Sequence, residues 1–471
     1  MSARADGPAE PYSPQRRTAL VLAGSGTAGA YHAGVVRALH EAGVKLDLVA
    51  GRGVGVVGAL FVAIDGAHRL WDEKGLWRAP AVAHFYGWRA ALRVIAVALG
   101  AALVLVTVPM AAVALGLVVF PIDFVLKMVG AGGASGLVGA YLRSAEAAFA
   151  PTALPTWLPR LVLLVLAGAA IAAWGVGIAH DRGRARGAWW WRGVRPPLSA
   201  KTAIDQCWRV LWDLIGGAAQ VKQPSRQDLA RRYADLLVEN LGQPGFCELV
   251  MTAHDADAHR DLIFALVDES RRPGLIRRST SEAAVARRAE VLDLAGVDRE
   301  RLADAVAGAL TVPLATEWTT MTFAADSYWR GETHRLCDRP ASLIRLLDEL
   351  IDLGIEQLVL VSAAPLAAGP HALSDARLDC RGRLGEYMQS AEAAIVRDAT
   401  TTTGGVRIFT IRPVHNPIGP FDFDGGYDDR SRRAQGLDEL MNRGYADAYH
   451  QFVEPVVGAS GERLGRLKSR V

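Results

Sequence analysis

Two glycine-rich turns near the N-terminus contain the residue types and spacing that could do chemistry. The first, Gly24–Gly29, follows the apolar run Leu20–Ala23, and the second, Gly51–Gly55, follows the strand-like run Leu46–Ala50, which is apolar except for Asp47. Small residues of a helical pattern come after each turn, so the stretch predicts strand, turn and helix, twice in succession. A strand-to-helix turn of the form Gly-x-Ser-x-Gly, a nucleophile elbow, exposes a serine that attacks acyl groups. The central residue of the second turn is Gly53, so the expected hydroxyl is missing.

The first turn has two possible uses. Its glycines would let backbone N–H groups approach a developing oxyanion without a Cβ in the way. The turn consists of Gly24, Ser25, Gly26, Thr27, Ala28 and Gly29, and in the elbow Gly53 is flanked by Gly51, Arg52, Val54 and Gly55. The same turn fits Gly-x-Gly-x-x-Gly, which makes a dinucleotide-binding membrane protein an alternative. That use needs an acid near the end of the next strand, and Val49–Arg52 contains none, so the oxyanion loop is favoured.

Together the two turns resemble the patatin-like phospholipase family, whose oxyanion loop precedes an elbow and a later Asp-Gly-Gly segment. The resemblance continues in the segments Leu249–Asp255, Ala307–Pro313, Tyr328–Glu332 and Leu358–Ser362. It implies a three-layer α/β domain with a mostly parallel sheet, a phospholipid or acyl lipid as ligand, and no cofactor or metal. It also implies a Ser–Asp dyad, whose serine position falls on Gly53 and whose aspartate position falls on Arg330. The basic residue of the family's loop falls on Ala28.

Both dyad positions depart from the family. A glycine cannot form an acyl-enzyme, and an arginine cannot accept a proton at neutral pH. We therefore expect a member that binds phospholipid or acyl lipid without serine hydrolysis, or that serves a protein partner. If Arg52 and Arg330 line the cleft, they favour an anionic headgroup or carboxylate.

A displaced nucleophile is the alternative to a site without hydrolysis. Ser25 and Thr27 lie in the adjacent loop, and His32 follows one helical turn later. A Ser25–His32 pair could perform base-assisted attack if the loop turned inward. The chain would then be an active lipid acyl hydrolase.

Strand and helix patterns elsewhere agree with an α/β domain. Short apolar runs predict strands at 247–253, 261–267, 357–362 and 406–412, and helical spacing predicts helices within 201–243, 301–309 and 342–353. Strands that alternate with helices imply a mostly parallel sheet with helices on both faces.

Two uncharged apolar runs, Val94–Ile122 and Leu161–Ala179, predict a transmembrane hairpin inserted into this domain. As helices they would be about 43 and 28 Å long, against a hydrocarbon core of about 30 Å. Arginines are more frequent outside the hairpin than in its connecting loop, which predicts a multi-pass protein of the cytoplasmic (inner) membrane with its α/β domain in the cytoplasm. Trp189–Trp191 lie among those arginines and are typical of an interfacial anchor.

The predicted organisation is a disordered tail (1–16), a first domain part (17–88), the membrane insertion (89–197), a second domain part (198–456) and a basic tail (457–471). A net charge of +3 over 471 residues gives no case for a nucleic-acid partner. The four cysteines form no Cys-x-x-Cys pair, which argues against a zinc site or a disulfide framework. The acidic loop Asp422–Asp429 leaves cation binding open.

Overall fold

The structure is a computed structural model that divides the chain into two compact units. The α/β unit comprises residues 1–87 and 198–471, and the insertion unit comprises residues 88–197. The structure describes residues 12–130, 136–150, 157–181, 196–217, 222–276, 290–296, 298–325, 327–365, 380–402 and 406–458.

A mixed sheet of nine strands forms the centre of the described α/β unit. The strands are β1 (Thr18–Gly24), β2 (Leu48–Gly53), β3 (Glu248–Asp255), β4 (Arg260–Leu266), β5 (Val291–Asp293), β6 (Thr319–Thr322), β7 (Thr333–Cys337), β8 (Gln357–Ser362) and β9 (Arg407–Ile411). Their order is β5-β4-β3-β2-β1-β8-β9, and the β6–β7 hairpin attaches through β7 to β3. The five strands from β3 to β9 along this order are parallel, whereas β4 and β7 run antiparallel to β3. A separate hairpin pairs β10 (Gly426–Asp428) with β11 (Arg433–Gln435).

Helices cover both faces of this sheet. They are α1 (Ala28–Glu41), α2 (Gly55–Ala63), α6 (Lys201–Ile215), α7 (Arg226–Asn240), α8 (Arg272–Ile276), α9 (Leu302–Ala309), α10 (Ser342–Asp352), α11 (Cys380–Thr402) and α12 (Leu437–Ala448). Alternate residues of β1 show the two faces, because Leu20 and Leu22 join one buried cluster and Val21 joins the other. Every residue of β1, β2 and β8 is buried, as expected for strands enclosed by helices on both sides.

The sequence patterns located most of these elements and missed several. The four predicted strands correspond to β3, β4, β8 and β9, and the predicted helical region 201–243 contains the two helices α6 and α7. The expectation of a mostly parallel sheet holds for the central strands, but the complete sheet is mixed. The patterns did not predict β6, β7 or α11, and the last two lead to side chains of the site described below.

The insertion unit is helical in its described residues. Its helices are α3 (Ala90–Met128), α4 (Leu137–Phe149) and α5 (Trp157–Asp181). α4 was not predicted, and it packs on α3, where the Tyr141 hydroxyl donates to the Ala112 carbonyl over 2.8 Å.

One described helix has the length and composition of a membrane span. α3 is 39 residues long, its most apolar window has a mean hydropathy of 2.7, and 7% of that window is buried. In α5, the apolar stretch Trp157–Ala172 is shorter than a span. The second span, and with it the hairpin, remains a prediction, and Trp189–Trp191 lie outside the described residues.

Candidate functional site

The two glycine-rich turns lie side by side at one edge of the sheet. Strands β1 and β2 are parallel neighbours, and Gly24 at the end of β1 pairs with Gly53 at the end of β2. Ligand sites of open α/β sheets form at such carboxyl ends. Gly53 has a φ of +58°, the left-handed conformation that a sharp elbow requires and that glycine adopts without strain. The strand, turn and helix succession therefore has the geometry of an elbow.

A buried cluster of three charged side chains lies directly beneath the elbow. Arg52 has no exposed surface, and its Nη1 donates to Asp338 Oδ1 over 2.7 Å and to Oδ2 over 2.9 Å. Its Nη2 donates to Glu392 Oε2 over 2.6 Å. Burial lowers the pKa of Arg52, but the charges of Asp338 and Glu392 raise it by more, so the pKa lies above its ordinary value. The expectation that Arg52 would bind an anionic ligand does not fit this geometry, because both of its terminal nitrogens already bind carboxylates.

The same aspartate also binds the hydroxyl of the first turn. Ser25 Oγ donates to Asp338 Oδ2 over 2.8 Å, and both side chains are buried. A hydroxyl that donates to a carboxylate is the contact on which a Ser–Asp dyad depends. Asp338 follows β7 and was not among the residues singled out in the sequence.

His32 does not serve Ser25 as a base. Its Nε2 lies 3.0 Å from the carbonyl oxygen of Ala23, and burial lowers the pKa of His32 to about 3. The imidazole is therefore neutral at pH 7 and is directed at the backbone of β1. The predicted Ser25–His32 pair is replaced by the Ser25–Asp338 pair.

The nucleophile position itself has no room for a side chain. A Cβ added to Gly53 would lie 2.3 Å from the Gly24 carbonyl oxygen and 2.8 Å from Asp338 Oδ2. The first contact is with backbone, which cannot move aside as a flexible side chain would. The elbow therefore has no space for a serine side chain at position 53.

Arg330, to which the dyad aspartate was assigned, lies on an exposed turn before β7 with a φ of +48°. The acid beside Gly53 is instead Asp338, at the other end of that strand. A signal for it was available, because Asp338 stands two residues before Pro340 immediately after a strand.

Two N–H groups that could hold an oxyanion bind protein carbonyls. Val54 N–H donates to the Gly24 carbonyl and Thr27 N–H donates to the Pro420 carbonyl, each over 2.8 Å. Thr27 Oγ1 donates to the Gly419 carbonyl over 2.8 Å. We name the segment Asn416–Phe423, which covers the first turn in this way, the closing strap.

The cavity that remains beside Ser25 is small. Its volume is about 20 Å³, and its lining includes Thr27, Glu392 and Pro420. A single water molecule needs roughly 10–15 Å³ on this measure, so the cavity could hold a water but no acyl chain. In this conformation the site is closed to a lipid.

Other residues of the two turns are explained by close packing. A Cβ at Gly29 would lie 1.9 Å from the Trp77 ring, and one at Gly55 would lie 1.9 Å from the Leu22 carbonyl oxygen. Ala28, where the family has a basic residue, is the first residue of α1 and is buried. These positions hold the loop and the elbow helix against the sheet.

The acidic loop near the closing strap makes internal hydrogen bonds. Asp428 accepts from the Gln435 amide over 2.7 Å and from the Ser431 hydroxyl over 2.8 Å, and it binds His415 Nε2 at 2.9 Å. Within the described ranges, histidine, cysteine and acidic residues form no group of three that could hold a metal ion.

Comparisons with known proteins cover only a small part of the chain. No family model matches the chain. Over 60 residues, 12% of this chain, it is 45% identical to patatin-like phospholipase domain-containing protein 6 of Mus musculus, and equally so to the proteins of that name from Pongo abelii and Homo sapiens. The chain is similar to patatin-like phospholipases over this stretch. The match spans 4% of the length of these relatives.

A solved structure, VipD from Legionella pneumophila, aligns with 95% of this chain and 67% of its own at 12% identity and a TM-score of 0.31. A score this low supports no conclusion.

Replacing Arg52 with alanine should destabilise the protein strongly. The change leaves the Asp338 and Glu392 carboxylates buried without their partner, and removal of one member of a buried ion pair costs about 3–5 kcal/mol. Arg37→Ala is the matched control, because Arg37 pairs with Glu41 on the surface and such pairs contribute about 0–1 kcal/mol. Thermal unfolding of the purified variants measures the difference. Similar melting temperatures for the two variants would contradict the role assigned to Arg52.

His32 should make the fold sensitive to acid. The folded-state pKa of about 3 lies below the ordinary value of 6.5, so between these values the unfolded chain binds a proton that the folded chain does not. Its stabilising contribution is complete above pH 6.5 and is lost as the pH falls towards 3. We expect the melting temperature to fall less steeply over this window in His32→Gln than in the wild type. Parallel profiles would show that His32 is not buried in its neutral form.

Proposed function

We propose that the chain is a membrane-anchored protein of lipid metabolism that binds phospholipid or acyl lipid without hydrolysis at its elbow. The observation that carries the proposal is the closed position of Gly53, where the Gly24 carbonyl and the Asp338 carboxylate occupy the space of a nucleophile. Without a hydroxyl at this point no acyl-enzyme can form there.

The lipid class is supported by the local similarity to patatin-like phospholipase domain-containing protein 6. The anchoring is supported by α3, whose apolar side chains are largely exposed, because such a helix in water would be expected to bury them. The distribution of arginines supports an α/β unit on the cytoplasmic side of the inner membrane. A protein partner on the α/β unit is compatible with this role.

Binding of a lipid at the first turn and the elbow requires the closing strap to move. The Thr27 N–H, which a lipid carbonyl or phosphate oxygen would need as a donor, already donates to the Pro420 carbonyl. Once the strap is displaced, that N–H becomes a donor for the polar part of a lipid, whereas the Ser25 hydroxyl still donates to Asp338.

The contact between Ser25 and Asp338 favours a second candidate, an acyl hydrolase with a displaced nucleophile. In that reaction Asp338 accepts the Ser25 proton, Oγ attacks the ester carbonyl, and the leaving alcohol takes the proton back. Thr27 N–H would stabilise the oxyanion after the Pro420 carbonyl has left. A water then releases the fatty acid.

Release of fatty acid from mixed phospholipid vesicles by the detergent-purified protein decides between the two. We expect the wild type to release no more than Ser25→Ala, because the elbow lacks its nucleophile. Thr27→Ala is the control for the second hydroxyl of the loop. Release that is present in the wild type and lost in both Ser25→Ala and Asp338→Asn would overturn the first proposal and establish the second.

A further inference from the structure

Leu314 has an unusual position on the surface of the α/β unit. Its side chain is 82% exposed, and its φ of +66° lies in the left-handed region that leucine rarely adopts. A single exposed leucine is common on soluble proteins. A leucine held outward by an unfavourable backbone conformation is not, and such outliers concentrate at functional sites.

The turn that presents Leu314 is closed on itself. Thr316 N–H donates to the Val312 carbonyl over 3.0 Å, and Val312 N–H donates to Thr316 Oγ1 over 3.0 Å. Both residues are buried. Leu314 is thus at the apex of a fixed turn, and its exposure does not depend on a flexible loop.

Trp318 follows the turn and adds an amphipathic ring. It is 37% exposed, and the guanidinium carbon of Arg335 lies 5.5 Å from its ring centroid. Tryptophan and arginine are enriched where proteins meet the headgroups of a bilayer. Leucine and tryptophan side chains there bury apolar surface at the acyl boundary.

The turn lies where the chain re-enters the α/β unit from the insertion. Leu198, the first residue of that unit after the insertion, donates its N–H to the Ala315 carbonyl over 2.8 Å. Ser199 N–H donates to the carbonyl of Gly87, the last residue before the insertion. α3 begins three residues later, at Ala90. The turn is therefore hydrogen-bonded to the residue at which the chain returns from the insertion.

We propose that the turn Val312–Thr316 together with Trp318, the membrane-contact turn, inserts Leu314 into the headgroup region of the bilayer. The inference rests on the membrane anchoring proposed for α3. It adds a second contact, made by the α/β unit itself, that holds the carboxyl-terminal end of α9 and the start of β6 against the lipid surface. It places a lipid source next to the unit that contains the closed site.

Site-specific fluorescence in the full chain tests this contact. Single cysteines are introduced by Leu314→Cys, Leu117→Cys and Tyr427→Cys, labelled with an environment-sensitive dye, and reconstituted in vesicles of phosphatidylethanolamine and phosphatidylglycerol. All three side chains are exposed, with Leu117 in α3 and Tyr427 on the β10–β11 hairpin. The native cysteines described in the structure, Cys207, Cys247 and Cys337, are buried, and the unsubstituted protein gives the labelling background. Spin-labelled lipids serve as quenchers near the headgroup and deep in the acyl region.

The three labels separate the contact from the anchor. We expect the Leu314 label to be quenched several-fold more by the headgroup quencher than the Tyr427 label, and the Leu117 label to be quenched by the deep quencher. Quenching at Leu117 with equal, low quenching at Leu314 and Tyr427 would overturn the membrane-contact turn while retaining the anchor. Absence of quenching at Leu117 would overturn the anchoring on which the inference rests.

Discussion

The buried ion pair between Arg52 and Asp338 is the interaction on which the rest of the site depends. A guanidinium enclosed by protein is tolerated only where carboxylates compensate its charge, and Asp338 and Glu392 do so at 2.7 and 2.6 Å. Arg52 holds the end of β7 at the elbow through Asp338, and the helix α11 through Glu392. It also places Asp338 beside Gly53 and within hydrogen-bond distance of Ser25.

One carboxylate, that of Asp338, therefore interacts with Arg52 and Ser25 and borders the position of Gly53. In an acyl hydrolase the acid must be free to accept a proton from the nucleophile at the elbow. Here it accepts hydrogen bonds from Arg52 and from Ser25, and its Oδ2 fills part of the space above Gly53. The oxyanion loop is occupied in a comparable way, by the Pro420 carbonyl. The geometry is that of an elbow stabilised in a closed form.

How far sequence reasoning reaches is visible in these same residues. Gly24 and Gly53 could be placed together because parallel neighbouring strands end at one edge of a sheet, and the register confirms this. Their contacts with Arg52 could not be predicted, because Asp338 and Glu392 lie 286 and 340 residues away in sequence, and the position of Asp338 before Pro340 does not indicate its partner. Tertiary packing alone selects them. His32 is a case in which the sequence suggested a role that the structure does not support. Its spacing from Ser25 fitted a catalytic base, but its buried ring contacts the Ala23 carbonyl instead.

The melting temperature of Gly53→Ser tests the closed elbow most directly. Gly43→Ser is the matched control, because Gly43 has a similar φ of +64° against +58° but nothing within 4 Å of its Cβ position. Both variants carry the backbone cost of a left-handed serine, so their difference reports the overlap with the Gly24 carbonyl and Asp338. We predict that Gly53→Ser melts well below Gly43→Ser. Equal melting temperatures would mean that the elbow has room for a nucleophile, which would contradict the account.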